Sequence, residues 1–189
     1  MSREKFINII TYDKKGKKMS GKKSKTKGNN GERELCKILE EYLGGSWVKT
    51  PSSGAFLGGS NKYRAKKLDE SQIHTFRADI ITPENLTKLV IESKNYSELP
   101  LHNMKRNSGI PIVNSWIKDL EHDAGDDNFA WICYKLKNKG WFIGFRYEDL
   151  QNYKLNNYLF YNSGEKPYVF TDLKEFLQNN SQKINEICK

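Results

Sequence analysis

Leu35, Ile38, Leu39, Tyr42 and Leu43 recur at the three- and four-residue spacing of a helix with one buried face. The pattern predicts a helix from near Asn30 to the Gly44-Gly45 pair, a common way for helices to stop. Glu32 lies three residues before Leu35 and seven before Leu39, so it projects from the buried stripe or its edge rather than from the wet face. Residues 46–50 read as a short strand ended by Pro51. A small-residue loop, 52–60, and a charged stretch, 62–70, follow. Residues 76–81 and 88–94 read as two strands joined through Pro83-Glu84-Asn85 into a hairpin. Ile112, Val113, Trp116, Ile117, Leu120 and Ala124 mark a second helix, with Pro111 near its start and Gly125 after its end. Residues 129–136 and 141–145 form a further strand pair across 137–140. A last helix begins at Asp172, where Glu175 completes a capping box, and the chain before it reads as an irregular tail. The order predicts an α/β fold, a mixed central sheet flanked by helices.

Charge divides this chain unevenly. Of its net +9, residues 1–27 carry ten Lys/Arg against two Asp/Glu, leaving 22 basic and 21 acidic residues in the remainder. Residues 11–30 have almost nothing apolar and read as flexible. The expected organisation is a basic flexible arm over 1–27, a core over 28–150, and a C-terminal extension with a helix over 151–189. A cationic arm attached to a nearly neutral globule is drawn to polyanions, although basic tails also serve as solubilising segments. Cys36, Cys133 and Cys188 are odd in number and far apart, which suggests neither a disulfide framework nor a zinc ribbon and fits a reducing cytoplasm. Residues 6–10 are apolar but too few for a signal core or a membrane span. No P-loop or dinucleotide fingerprint occurs, and Ser53 has no His/Asp partner motif of a serine hydrolase.

The candidate chemistry sits on the two central strands. Val90, Glu92 and Lys94 share one face of their strand, and Asp79 faces opposite to Ala78 and Ile80 on the preceding one. With the two strands in register, Asp79 and Glu92 converge at one end. Two close carboxylates resist ionising together, and a divalent cation removes the conflict. Oxygen ligands suit Mg²⁺, with Mn²⁺ as a substitute. Lys94 is then placed to neutralise charge on a phosphoryl oxygen or to position a water, which suits phosphodiester hydrolysis. Glu32 is a further candidate ligand, directly or through water. The plain alternative is a Glu–Lys pair on an exposed strand face, which contributes little.

The run Lys27-Gly28-Asn29-Asn30-Gly31-Glu32-Arg33-Glu34-Leu35 resembles the opening helix of Holliday-junction resolvases of the archaeal and phage kind, within the PD-(D/E)xK superfamily. Their serine- and glycine-bearing loop corresponds to Pro51-Ser52-Ser53-Gly54-Ala55, their "PD" strand to Ala78-Asp79-Ile80, and their "E-x-K" strand to Ile91-Glu92-Ser93-Lys94. Ala78 departs from the usual proline, which is not a ligand, and the insertion at 56–74 is long. The resemblance covers roughly 27–146. It implies a restriction-endonuclease-like core, metal-dependent cleavage of DNA, branched DNA above all, and a homodimer. It further implies Glu32, Asp79 and Glu92 as metal ligands, Lys94 as the catalytic lysine, and Ser53 in a substrate-contacting loop. Lys27, Arg33, Ser52, Ser53, Lys62 and Arg64 are the candidate DNA contacts. Restriction, repair or nicking activity on linear duplex, and non-catalytic nucleic-acid binding, are the alternatives. His74, His102 and His122 share no ligand spacing. Trp116, Trp131 and Trp141 read as core. As a dimer surface, the edge of the pair 129–145 and the helix 112–124 are the candidates because they carry these tryptophans.

Overall fold

The computed structural model describes residues 21–51, 78–100, 109–162 and 166–189. Helix α1 spans Gly21–Leu43 and is followed by a short strand, β1, Val48–Lys49. Next come β2, Ile80–Ile81, a single 3₁₀ turn, and β3, Leu89–Tyr96. Helix α2, Pro111–Ala124, leads to β4, Phe129–Leu136, and β5, Gly140–Arg146. The chain ends with β6, Leu159–Tyr161, β7, Tyr168–Asp172, and α3, Leu173–Ile187.

Five strands form one mixed sheet in the order β3-β4-β5-β7-β6, with β3 and β4 parallel and the other pairs antiparallel. Parallel neighbours need a long crossover, and α2 provides it. Both faces of the sheet are covered. Val90, Ala130 and Ile132 pack with Val113, Trp116 and Leu120 of α2. Ile91, Trp131 and Cys133 pack on the other side with Leu35 and Leu39 of α1 and Phe176 of α3. A strand buried on both faces reads as an unbroken apolar run, which is why 129–134 shows so little alternation. The mixed α/β architecture expected from the pattern is therefore present, and α2 and the β4–β5 pair fall where the periodicity placed them.

Four local expectations need correction. Residues 80–81 and 89–96 are not a hairpin: β2 pairs with β1 in a separate two-stranded sheet, Val48 opposite Ile81, and β3 pairs with β4. Helix α1 begins at Gly21, so residues 21–27, expected in the flexible arm, are helical. Its weak helix formers Gly28, Asn29, Asn30 and Gly31 are supported from outside, because the Asn95 amide donates to the Lys27 carbonyl at 3.2 Å. A Cβ at position 31 would lie 2.9 Å from the Asn95 amide nitrogen, so glycine there admits the clasp. The stretch between residue 146 and Asp172 is not irregular, since it contributes β6 and β7 to the sheet. Finally, β4 and β5 have no free edge, and Trp116, Trp131 and Trp141 are all buried, so that surface offers no aromatic dimer contact.

Two polar devices fix the C-terminal half. The Asp172 carboxylate accepts from the Glu175 backbone N–H at 3.0 Å and caps α3, as the sequence predicts. The reciprocal half of the box is absent, because the Glu175 carboxylate accepts from Asn156 instead. Replacing an N-cap carboxylate removes one satisfied helix donor, so Asp172→Ala is expected to lower unfolding stability by about 1 kcal/mol, readable by urea titration. The second device centres on Arg146, 3% exposed, whose guanidinium meets both Glu121 carboxylate oxygens at 2.8 Å and donates to the carbonyls of Asn128 and Gly125. Tyr168 and Lys166 complete the partners of Glu121.

Candidate active site

Strand alternation puts Val90, Glu92 and Lys94 on the α2 side of β3, which is the last strand at one side of the five-stranded sheet. Val90 is buried under α2. Past it the apolar cover ends, and Glu92 and Lys94 emerge with side chains 16% and 22% exposed. Asp79 reaches them from the approach to β2. Its backbone N–H donates to the Ile91 carbonyl at 3.1 Å, and its own carbonyl accepts from Thr50 at 2.9 Å. Its carboxylate accepts from the Ser93 backbone N–H at 2.9 Å. Asp79 is thus stitched to β3 by crossing bonds rather than by a ladder, and the carboxylate convergence survives although the expected hairpin does not.

The electrostatics follow from this arrangement. Burial and then the neighbouring Asp79 push the Glu92 carboxyl up to about 8, against the opposing pull of Lys94. Glu92 therefore holds its proton into the neutral range beside Asp79. Lys94 contacts Glu92 directly. Burial disfavours its charge, but Glu92 and Asp79 outweigh that and raise its pKa above the ordinary lysine value. The cluster therefore contains a firmly protonated Lys94 beside a Glu92 carboxyl that resists ionisation.

Glu32 comes from α1. It is bonded at 3.0 Å by Lys49, which also donates to Asn29 at 3.3 Å. Lys49 precedes Thr50, whose N–H holds Asp79, so Glu32 connects to the centre through β1. Among the described residues no group of three or more His, Cys, Asp or Glu stands ready to hold a metal. Lys49 and Asn95 were not singled out by sequence reasoning. The Lys49–Glu32 pair spans 17 residues and has no local signature, whereas the place of Asn95 directly after Lys94 was a usable signal. Lys27 is half-buried at the Asn95 clasp and Arg33 is exposed on α1. Ser52, Ser53, Lys62, Arg64 and all of the 56–74 insertion, His74 included, as well as His102, lie outside the described residues. His122 is exposed beside Asp123 and has no part in the centre. The three cysteines are free and buried. No helix among the described residues is long and apolar enough to cross a membrane.

Neither curated proteins nor solved structures include a match to the chain. The family model described as "Phage putative PDDEXK endonuclease" matches residues 23–186, which takes in α1, the whole five-stranded sheet and nearly all of α3. The chain therefore belongs to this phage PDDEXK endonuclease family.

Proposed function

We propose that the protein hydrolyses DNA phosphodiester bonds in a Mg²⁺-dependent reaction, with Asp79 and Glu92 as the metal-holding carboxylates and Lys94 as the catalytic lysine. The observation that carries this reading is the convergence of Asp79, bonded to β3 at Ile91 and Ser93, on Glu92, whose carboxyl is pushed up to about 8 by burial and then by the Asp79 charge. The donor set fits a hard divalent cation: two carboxylates suffice for Mg²⁺, which takes its other ligands from water and substrate phosphate. Mn²⁺ fits the same oxygens. Such an ion supplies Lewis acidity toward the phosphoryl group.

The protein's own groups do the rest. Asp79 is held by two backbone bonds and a third to its carboxylate, so its position is set before substrate arrives. Lys94 keeps its proton and presents a fixed positive charge where negative charge builds on the phosphoryl oxygens in the transition state. Glu32 acts at one remove, steadying Lys49 and with it the β1 segment behind Asp79. Lys94→Ala is expected to reduce the cleavage rate by about 100-fold or more, the usual scale for losing one preorganised electrostatic contact, while Mg²⁺ affinity changes little. Single-turnover cleavage and metal titration of the same variant check both halves.

The resolvase-like motifs favour branched DNA and a homodimer, since one centre hydrolyses one bond at a time and a two-fold dimer offers two. The deciding experiment incubates the full chain with a synthetic four-way junction and with a matched linear duplex, each in Mg²⁺, Mn²⁺ and EDTA. Cleavage in either metal but not in EDTA is expected, with the junction cut faster. Equal rates on both substrates would leave a nuclease of linear duplex, and no cleavage of any DNA would overturn the reading.

A further inference from the structure

A groove of about 810 Å³ lies on the α1 side of the sheet, along α1 and across the ends of β3, β4 and β5. Asn95, which follows Lys94 on β3 and points to the opposite face, lines it. Five lysines, Lys27, Lys37, Lys135, Lys137 and Lys174, face three acids, Glu34, Glu41 and Asp172. Two of those acids are already committed. Glu34 grips Lys135 at 2.6 and 2.7 Å and accepts from the Trp141 indole at 2.9 Å. Asp172 caps α3. What remains is Lys27, Lys37, Lys137 and Lys174, none of which forms an ion pair among the described residues, against the lone exposed Glu41.

Lys27 and Lys137 make the strongest case. They approach from different elements, α1 and the β4–β5 turn. The turn is tied to β3 through the Lys137 N–H on the Tyr96 carbonyl, and α1 through the Asn95 clasp on the Lys27 carbonyl. Both lysines line the groove, and burial and then the Lys137 charge lower the pKa of Lys27, so the fold brings two like charges into each other's field. An anion between them would relieve that repulsion.

We infer that this groove is a track for the phosphate backbone of double-stranded DNA, with Lys27 and Lys137 flanking one phosphate on the α1 side of the edge strand β3, whose other face carries Glu92 and Lys94. The inference rests on the nuclease reading and adds the face on which the flanking duplex lies. Duplex fits better than single strand, because single-strand grooves offer aromatic rings for bases to stack on. Here the one aromatic side chain of the groove, Trp141, is 4% exposed and its indole N–H is taken by Glu34. A small-molecule site is a poor match as well, since those are mainly apolar with few charges.

The test measures binding of a fluorescent linear duplex by the full chain in EDTA, where cleavage does not interfere, over a range of salt. The double variant Lys27→Ala/Lys137→Ala is compared with Lys27→Arg/Lys137→Arg and with Lys183→Ala, a charge removed from α3 outside the groove. Each phosphate neutralised contributes roughly 0.9 to the slope of log affinity against log salt, so the double alanine variant, which gives up one phosphate, should lose about 0.9. The arginine pair should keep the slope, and Lys183→Ala should leave it unchanged. A slope in the double alanine variant equal to that of the unaltered chain, or an equal loss in Lys183→Ala, overturns the track. Cleavage of the same duplex by the unaltered chain in Mg²⁺ is scored separately. Cleavage with an unchanged slope sinks the groove and leaves the nuclease standing, whereas a chain that neither binds nor cuts DNA sinks both.

Discussion

Glu92→Gln is expected to abolish Mg²⁺-dependent cleavage and at the same time to raise the melting temperature in EDTA. The two effects share one cause. The folded protein holds Glu92 at about 8 through burial and the Asp79 charge, whereas an unfolded glutamate titrates near 4.5. A carboxyl raised in the folded state opposes folding as pH rises. The loss of stability starts near the unfolded value, grows through neutral pH and levels off above about 8. Glutamine is uncharged at every pH and still offers a donor to Asp79, so the variant escapes that loss. Cleavage should fall by about 1000-fold or more, on the scale of removing a group that acts as part of a unit. The melting temperature should rise by several degrees at pH 8 and by less at pH 5. Stability exchanged for function in this way is common at active sites. Retained turnover in Glu92→Gln, or a melting temperature lower at pH 8 than that of the unaltered chain, would contradict the assignment.

Arg146→Ala should produce the largest loss of stability. Arg146 is 3% exposed and makes a two-point contact with Glu121 at the end of α2. Removing it strands a largely buried carboxylate and unpairs the carbonyls of Gly125 and Asn128 from the same guanidinium. Breaking one partner of a buried pair costs roughly 3–5 kcal/mol, which for a chain of this size corresponds to a fall of about 10 °C. Tyr168 and Lys166 still face Glu121 and moderate the effect toward the lower end. Arg146→Lys should recover only part of it, since an ammonium cannot reproduce the planar fork. Thermal unfolding of the two variants gives the comparison. A fall of less than about 1 kcal/mol in Arg146→Ala would show that the network does not hold α2 against β5 and β7.

The parts of the fold that were legible in the sequence carry their own signals. Pro111 and Gly125 bracket α2, Asp172 caps α3, and Asn138 and Gly140, both with positive φ, turn β4 into β5. The meeting of Asp79 and Glu92 was legible for a related reason, since side-chain alternation along β3 fixes its faces whatever its partner. The partner itself was not: nothing within 88–96 says that β3 lies parallel to a strand 40 residues away rather than against its neighbour in sequence. β7 escaped notice because it is short and buried, so its run Tyr168-Val169-Phe170 shows no alternation, and β6 because its residues Leu159 and Phe160 are both exposed. The early start of α1 depends on Asn95, a residue 68 positions from the carbonyl it holds. The pairing of Glu32 with Lys49 is likewise a tertiary fact. It ties Glu32, a candidate ligand, to the strand behind Asp79.

The central claim is that Glu92 gives up its proton when a divalent cation binds between it and Asp79, and the pH dependence of metal activation tests it most directly. Initial cleavage rates of a DNA duplex are measured against Mg²⁺ concentration at several values between pH 6 and pH 9. Because Glu92 must lose a proton that it holds up to about 8, the half-saturating Mg²⁺ concentration should fall about tenfold per pH unit below that value and level off above it. Lys94 remains charged throughout, so the activity at saturating metal should not collapse over the same range. A half-saturating concentration independent of pH between 6 and 8, or undiminished cleavage in EDTA, would contradict the account.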